Sequence, residues 1–427
     1  MKTLDGYDVV VVGAGPGGFG AAVAAARDGA RTLLIEREGF LGGAATVMLV
    51  NPYNLSRTKQ GDDQPVREIN AGVYGELSDR LLESGAGRRF REPDGGIKFD
   101  DEMLKVILDD LAADAGVDVL YHAALYDAEI EDGRVTAVLS AHNAGPLRVP
   151  AKVFIDGTGD GLLAERAGAE VMVGNEEGQV MPMTTFMVIG GADLDRIPPL
   201  SDMYGLCGRG AEDTPALQNT NFSFMQISPT GLVYINAIRI PGDPLDPMDL
   251  SRAETKGRKL AENFVAWMKA NLPGYENAYL AKTPSHIGIR ETRRVVGDYL
   301  LTADDYRKRA LFDDGIACCA YGIDIHKNQA GSTNIEHFGP GEYYQIPYRC
   351  LTPKGLQNLL IASRCISADV AAHSSIRIMP PVMNIGEAAG HAAAMVLPEG
   401  DTRSVDIEAL RDRIRESGGV IEPWVVA

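Results

Sequence analysis

YDVVVVGAGPGGFGAAVAAARDGARTLLIE, residues Tyr7 to Glu36, reads as strand, glycine turn, helix and second strand. Val9–Val12 is an unbroken β-branched run, the mark of a strand covered on both faces. Gly13-Ala14-Gly15-Pro16-Gly17-Gly18 has the spacing G-x-G-x-x-G, and the helix that it opens ends near Gly29. Arg31–Glu36 then forms a strand that ends on an acid. In this βαβ context the first glycine allows a tight turn and the second lets a pyrophosphate approach the backbone. Gly18 permits close helix–strand packing, while the helix N-terminus faces phosphate charge. Glu36 is placed to accept hydrogen bonds from ribose hydroxyls. The fingerprint alone does not separate FAD from NAD.

Further stretches extend the pattern. Gly42-Gly43-Ala44-Ala45-Thr46 follows Glu36 closely, and Asp156-Gly157-Thr158-Gly159-Asp160 stands at the end of the strand Val153–Ile155. Gln357–Ala394 offers a strand, a loop and a small-residue helix that begins at Pro380-Pro381. An enzyme that binds only nicotinamide has no need of these additions. Gly72–Ser84 and Asp100–Ala115 are predicted helices with Leu77, Leu81, Leu104, Ile107, Leu108 and Leu111 on core faces. Residues 41–70 read as loop, and 124–149 as an antiparallel meander. Past residue 170, Thr184–Ile189, Phe222–Ile227 and Leu232–Ile240 read as strands of a mixed or antiparallel sheet, followed by a helix over Ser251–Asn271.

The chain has 427 residues, 45% hydrophobic and 23% charged, a globular composition too long for one core. Lys plus Arg number 41 against 59 Asp plus Glu, for a formal charge of −18. Such a field repels phosphate backbones and anionic bilayers, so neither nucleic acid nor a membrane is an expected partner. Five cysteines form no C-x-x-C, which excludes a four-thiolate zinc site, a conventional iron–sulfur cluster and a disulfide scaffold. Reduced thiols are expected, with the adjacent Cys318 and Cys319 at the end of a buried strand. Val9–Ala26 carries no charge, yet its five glycines and one proline mark strand, turn and helix. No signal peptide or transmembrane span is therefore expected, and a cytoplasmic protein is. His286, His337 and His391 have no metal-ligand spacing with a nearby carboxylate, and no metal is expected.

Taken in order, these pieces resemble the FAD-dependent oxidoreductase family of the glutathione-reductase-like flavoprotein superfamily, to which fumarate reductases also belong. The resemblance is carried by the opening stretch and GFLGGAAT, by VFIDGTGDGLLAERAGAE, and by GIRETRRVVGDYLLTADDY and IDIH. YQIPYRCLTP, NLLIASRCIS and SSIRIMPPVMNIGEAAGHAAA continue it. It implies FAD, and an α/β fold in which a Rossmann-like FAD-binding domain has a parallel sheet and a small meander. A substrate domain of α+β type with a mixed or antiparallel sheet, about residues 171–349, would be inserted between 1–170 and 350–427. By resemblance Gly13, Gly15, Pro16, Gly17, Gly18, Glu36 and Arg37 bind the ADP half. Gly42, Gly43, Ala44, Ala45 and Thr46 pass along the ribityl chain and flavin edge. Gly157, Asp160, Arg364 and Asn384 complete the cofactor set. Ser363 stands where many relatives have glycine. The helix after Pro380-Pro381, with Gly386, Ala389, Gly390 and Ala393 on one face, either packs tightly or turns its positive end to the flavin.

On the substrate side, Arg290-Glu291-Thr292-Arg293-Arg294 is a basic cluster in an acidic chain, and Arg349 and Arg377 lie in other matched stretches. Guanidinium forks suit carboxylates; the competing assignment is an internal ion pair, Arg290 or Arg294 with Glu291 or an aspartate. His326 and His373 are the candidate proton acceptors. The expected enzyme is an FAD-dependent dehydrogenase or oxidase, moving hydride from a small polar substrate, anionic if the arginines hold it, to flavin N5. Electrons would leave to oxygen or to a separate protein, since no second G-x-G-x-x-G occurs. Homo-oligomerisation is left open. The competing functions are a thiazole-synthase-like dinucleotide-converting enzyme with Cys207 as sulfur donor, an RNA-modifying flavoprotein, and a non-catalytic flavin-binding partner.

Overall fold

In chain order the first part contains β1 (Val9–Val12), α1 (Pro16–Arg27), β2 (Thr32–Ile35), α2 (Val73–Glu83), α3 (Asp101–Ala115) and β3 (Asp118–Leu120). The meander β4 (Ala124–Glu131), β5 (Arg134–His142) and β6 (Gly145–Pro150) leads into β7 (Val153–Asp156). This computed structural model describes all residues except 62, 91–94, 200, 204, 208–213, 215–216, 218–219, 327–332 and 424–427. The four valines of β1 are buried and pair in parallel with β2 on one side and β7 on the other. α3 shows why its sequence is helical. Asp100 caps it by accepting from the backbone N–H of Glu102 and Met103, Gly116 closes it at φ +78°, and Leu104, Ile107, Leu108 and Leu111 form its buried stripe.

The middle of the chain forms a separate antiparallel sheet. Its strands are β8 (Met183–Gly190), β9 (Thr220–Ile227), β10 (Val233–Ile240) and β11 (Tyr279–Lys282), in the order β9-β10-β8-β11. α4 (Pro247–Asn271) covers this sheet with Ala253, Gly257, Ala261, Phe264, Val265 and Met268. The apolar cluster beneath α4 takes its residues from Met183 to Ile289, whereas Val295, Ile316, Tyr344 and Cys350 pack into the core of the first part. Lys282 Nζ lies 2.7 Å from each oxygen of Asp101 and ties the sheet to the start of α3.

The chain then returns through β12 (Gly315–Cys319), β13 (Ile323–His326), β14 (Thr333–Glu336) and β15 (Tyr344–Pro347) to β16 (Leu359–Ile361). β16 completes the parallel sheet, whose order is β16-β7-β1-β2-β3. Helices α5 (Val370–Ile376), α6 (Met379–Met395) and α7 (Ile407–Glu416) follow. The small-residue face of α6 meets α1. A Cβ on Gly386 would stand 1.9 Å from the Gly17 carbonyl oxygen, and one on Gly390 2.2 Å from that of Ala21. Only glycine lets the two helix backbones approach so closely. Among the described residues no helix is long and apolar enough to cross a membrane.

Candidate active site

The ends of β1, β2 and β7 open on a cleft. Gly13, Gly15, Pro16, Gly17, Glu36, Arg37, Gly43, Ala44, Gly157, Asp160, Arg364 and Arg377 all line it. The glycines divide by role. Gly13 has φ +90°, and a Cβ there would meet the Gly157 backbone at 2.8 Å; one on Gly18 would lie 1.8 Å from the Gly13 oxygen. Those two positions let the turns after β1 and β7 pack together. Gly15 differs, because a Cβ there meets only the Gly157 oxygen, at 3.8 Å, and otherwise enters the cleft. Gly15 is also the N-cap of α1 and makes no side-chain cap, so the first N–H groups of the helix are left for a ligand.

Glu36 is buried and accepts from the backbone N–H of Ala14 at 2.7 Å and of Glu38 at 2.9 Å. A carboxylate has roughly four acceptor sites, so acceptor capacity remains for ribose hydroxyls. Burial raises its pKa. Asp156 organises the second turn by accepting from Thr158 N–H and O–H and from Ala164 N–H. Asp160 receives Arg364 Nη2 at 2.8 Å and the Thr292 hydroxyl at 2.9 Å. Among the described residues the Nε atoms of Arg364 and Arg377 are buried without a hydrogen-bond partner. A glycine-lined cradle with such donors on its wall fits a phosphate-bearing cofactor.

Five of the expected cofactor residues do not line the cleft: Gly18, which packs against Gly13, and Gly42, Ala45, Thr46 and Asn384. Gly42 donates its N–H to the Ala14 carbonyl at 2.9 Å, Ala45 is fully buried, and the Thr46 hydroxyl turns back to the Leu41 carbonyl at 2.6 Å. These three hold the loop on which Gly43 and Ala44 are presented. Asn384 donates to the Ala71 carbonyl at 2.7 Å and to Glu387 at 3.2 Å, joining α6 to the segment before α2. The near end of α6 still faces the cleft through Met379 and Val382.

A second constellation lies beyond Arg377. Alternation along β13 sets Asp324 and His326 on one face. Asp324 Oδ2 stands 3.1 Å from His326 Nε2, 3.3 Å from the Tyr321 hydroxyl and 3.5 Å from Arg377 Nη2. Arg290 Nη1 donates to the Pro182 carbonyl at 2.7 Å and to the Thr184 hydroxyl, and among the described residues it makes no ion pair. Burial, then the charges of Arg377 and Arg239, push the Arg290 pKa down to about 9. Burial, then the Arg290 charge, pushes His326 down to about 3. Burial opposes ionisation of Asp324, yet the His326 hydrogen bond and Arg377 hold its carboxyl well below the usual range.

The basic cluster splits between the two roles open to it. Arg294 forms the buried pair with Glu291 and also donates to the Ala368 and Gly174 carbonyls, while Arg290 turns toward Asp324. Arg349 is corrected to a surface role: it grips Asp314 at 2.8 and 3.0 Å, stacks over Tyr299 and is half exposed. His373 is corrected likewise. Its Nδ1 lies 2.9 Å from the Arg364 carbonyl and its Nε2 3.2 Å from that of Arg290, so neither nitrogen faces the cleft. It braces the backbones that carry both arginines. Asp324 and Thr184 were not singled out from the sequence, although D-x-H in a strand already puts both side chains on one face.

All five cysteines are free and buried. Burial pushes the Cys207 thiol up to about 12, which disfavours the thiolate that a sulfur donor needs. Cys318 and Cys319 end β12 without a disulfide. Among the described residues no group of three or more His, Cys, Asp or Glu could hold a metal ion.

The model of the FAD dependent oxidoreductase family matches residues 8–414. The chain belongs to that family; it is an enzyme, and its cofactor is FAD. A digeranylgeranylglycerophospholipid reductase of Thermoplasma volcanium is 30% identical over 165 residues, which are 36% of this chain and 40% of that one. This chain therefore spans about two fifths of that relative's length. A thiamine thiazole synthase of Aeropyrum pernix is 25% identical over 245 residues, 49% of this chain and 82% of the other. A solved geranylgeranyl bacteriochlorophyll reductase-like protein from Thermoplasma acidophilum has a TM-score of 0.52 at 15% identity, covering 97% of this chain and 84% of its own. A flavin-dependent brominase has 0.51 at 16%, covering 95% and 83%. At such identities the likeness is one of fold. The family resemblance thus holds at the level of FAD-dependent oxidoreductases; the relatives include geranylgeranyl reductases and are not specifically of glutathione- or fumarate-reductase type.

Proposed function

We propose that this FAD-dependent oxidoreductase oxidises a small polar substrate with an anionic group, gripped by Arg290 and Arg377, and that His326 accepts the substrate's proton. One observation carries the reading. Two guanidiniums and an imidazole from separate elements gather about one carboxylate, Asp324, and Arg377 also lines the cofactor cleft. A buried guanidinium that meets only a carbonyl and a hydroxyl is costly, and a ligand carboxylate in its fork relieves that cost. The field that favours the anion also keeps His326 neutral, as a proton acceptor must be.

When bound, FAD supplies the acceptor for a hydride. Gly13, Gly15, Gly17, Glu36 and Arg37 would hold its ADP half, and Asp160 and Arg364 its phosphate and ribityl region. The positive end of α6 favours negative charge at the cleft. Residues of about 171–349 would form the substrate side, between the two parts of the FAD-binding domain at 1–170 and 350–427. Electrons would pass on to oxygen or to a separate protein.

The test is anaerobic reduction of the bound flavin in Arg290→Lys and His326→Asn against the wild type. Arg290→Lys should raise the half-saturating concentration about tenfold or more, because a point charge replaces the bidentate fork. His326→Asn should slow the limiting rate by roughly 10²-fold or more with FAD retained. Unchanged saturation in the first and an unchanged limiting rate in the second would refute the assignment.

A further inference from the structure

We infer that Asp324 is a positioning residue, which fixes His326 in the tautomer whose Nε2 carries the proton and whose Nδ1 keeps its lone pair. The inference rests on the reading of His326 as proton acceptor and specifies how that acceptor is prepared.

An ionised carboxylate accepts hydrogen bonds and cannot donate. His326 Nε2, 3.1 Å from Asp324 Oδ2, must then be the protonated nitrogen. A neutral imidazole has one N–H, so Nδ1 keeps its lone pair. Nδ1 is buried and, among the described residues, has no hydrogen-bond partner. His373 and His391 show what structural histidines do here. His373 sets both nitrogens against carbonyls, and His391 uses Asp28 at 2.7 Å and the Ser417 hydroxyl at 3.2 Å. His326 alone of these three leaves a nitrogen open.

Asp324 is itself held. Its backbone N–H donates to the Ser374 hydroxyl at 3.0 Å, and Arg377 Nη2 donates to its carbonyl at 3.1 Å. The lock therefore comes from β13, α5 and Arg377 together. Tyr321 and Arg239 also act on Asp324, and both Asp324 and His326 feel the charges of Arg290 and Arg377. The two arginines oppose a proton on Nδ1, so the same cluster that draws an anion keeps that nitrogen free.

Imidazole nitrogen-15 spectra of the FAD-loaded protein, without substrate, test the inference, with His326→Gln identifying the signal. The expected spectrum at neutral pH shows Nε2 protonated and Nδ1 unprotonated. Asp324→Asn, whose amide donates as well as accepts, should add the Nδ1–H form, and Asp324→Glu should restore the Nε2–H form alone. An Nδ1–H tautomer or a doubly protonated ring in the wild type would overturn it, as would an unaltered tautomer in Asp324→Asn. The wild-type spectrum decides even if a variant fails to fold. Full activity of His326→Gln would instead refute the proton-acceptor reading and leave the tautomer result standing.

Discussion

Replacing Gly15 by leucine separates cofactor binding from folding. Gly15 has φ −65° and ψ 177°, extended backbone that any residue adopts, and its Cβ would find no atom nearer than 3.8 Å. Leucine loses a weakly favoured N-cap, at a cost of about 1 kcal/mol, and gains up to about 1 kcal/mol by stiffening the unfolded chain. The apoprotein should therefore unfold in urea within about 1 kcal/mol of the wild type. Its FAD affinity should collapse, because the side chain occupies the pyrophosphate's place over the start of α1. Two charge-assisted hydrogen bonds of about 1.5–3 kcal/mol each amount to roughly 10²–10⁴-fold in Kd. Gly18→Ala should do the reverse. Its Cβ would lie 1.8 Å from the Gly13 backbone oxygen, so overpacking of about 1–3 kcal/mol or more falls on the fold itself. The assays are urea denaturation of the apoproteins and titration of FAD by fluorescence quenching. A Gly15→Leu protein with wild-type FAD affinity, or a Gly18→Ala apoprotein of unchanged stability, would refute the placement of the cofactor.

Other outcomes follow from the buried charges. His326 and His373 are both pushed from 6.5 to about 3, chiefly by burial. The unfolded chain takes up their protons first, so apoprotein stability should be complete above about pH 6.5. Below that it should fall by about 1.4 kcal/mol per pH unit for each histidine, until about pH 3; urea midpoints equal at pH 7 and pH 5 would contradict this. Glu291→Gln should cost about 3–5 kcal/mol, since it leaves the Arg294 charge buried and unpaired; a thermal melt unshifted from the wild type would exclude that. Arg349→Ala should cost no more than about 1 kcal/mol and leave flavin reduction unaltered, an expectation that slowed reduction at saturating substrate would overturn.

The nucleotide cradle was legible because its demands are local. G-x-G-x-x-G must follow a buried strand, and Gly18 answers to the Gly13 backbone five residues away, although Gly13 and Gly17 also meet Gly157 and Ala362 from distant segments. The small face of α6 was equally visible, but its partner was not; that Gly386 meets Gly17 of α1 is a fact of tertiary packing. The split of Arg290 from Arg294 lay beyond sequence reading for the same reason, since four residues across the junction into the strand Arg293–Val295 do not say which guanidinium turns inward. The strand expected to end at Cys318 and Cys319 is β12, whereas β15 was missed because Tyr-Gln-Ile-Pro is buried throughout and carries no alternating pattern. His326 and His373 could not be ranked from their neighbours in the chain. Both nitrogens of His373 are taken by carbonyls brought from distant segments, and only the fold reveals that.

The most direct measurement pairs small hydroxy- and amino-carboxylates with their neutral amides and follows bleaching of the bound flavin in anaerobic stopped flow. A carboxylate should reduce the flavin where its amide does not, and Arg290→Lys should lose most of that preference. Equal reduction by acid and amide, with the same saturation in wild type and Arg290→Lys, would contradict an anionic substrate held by arginine.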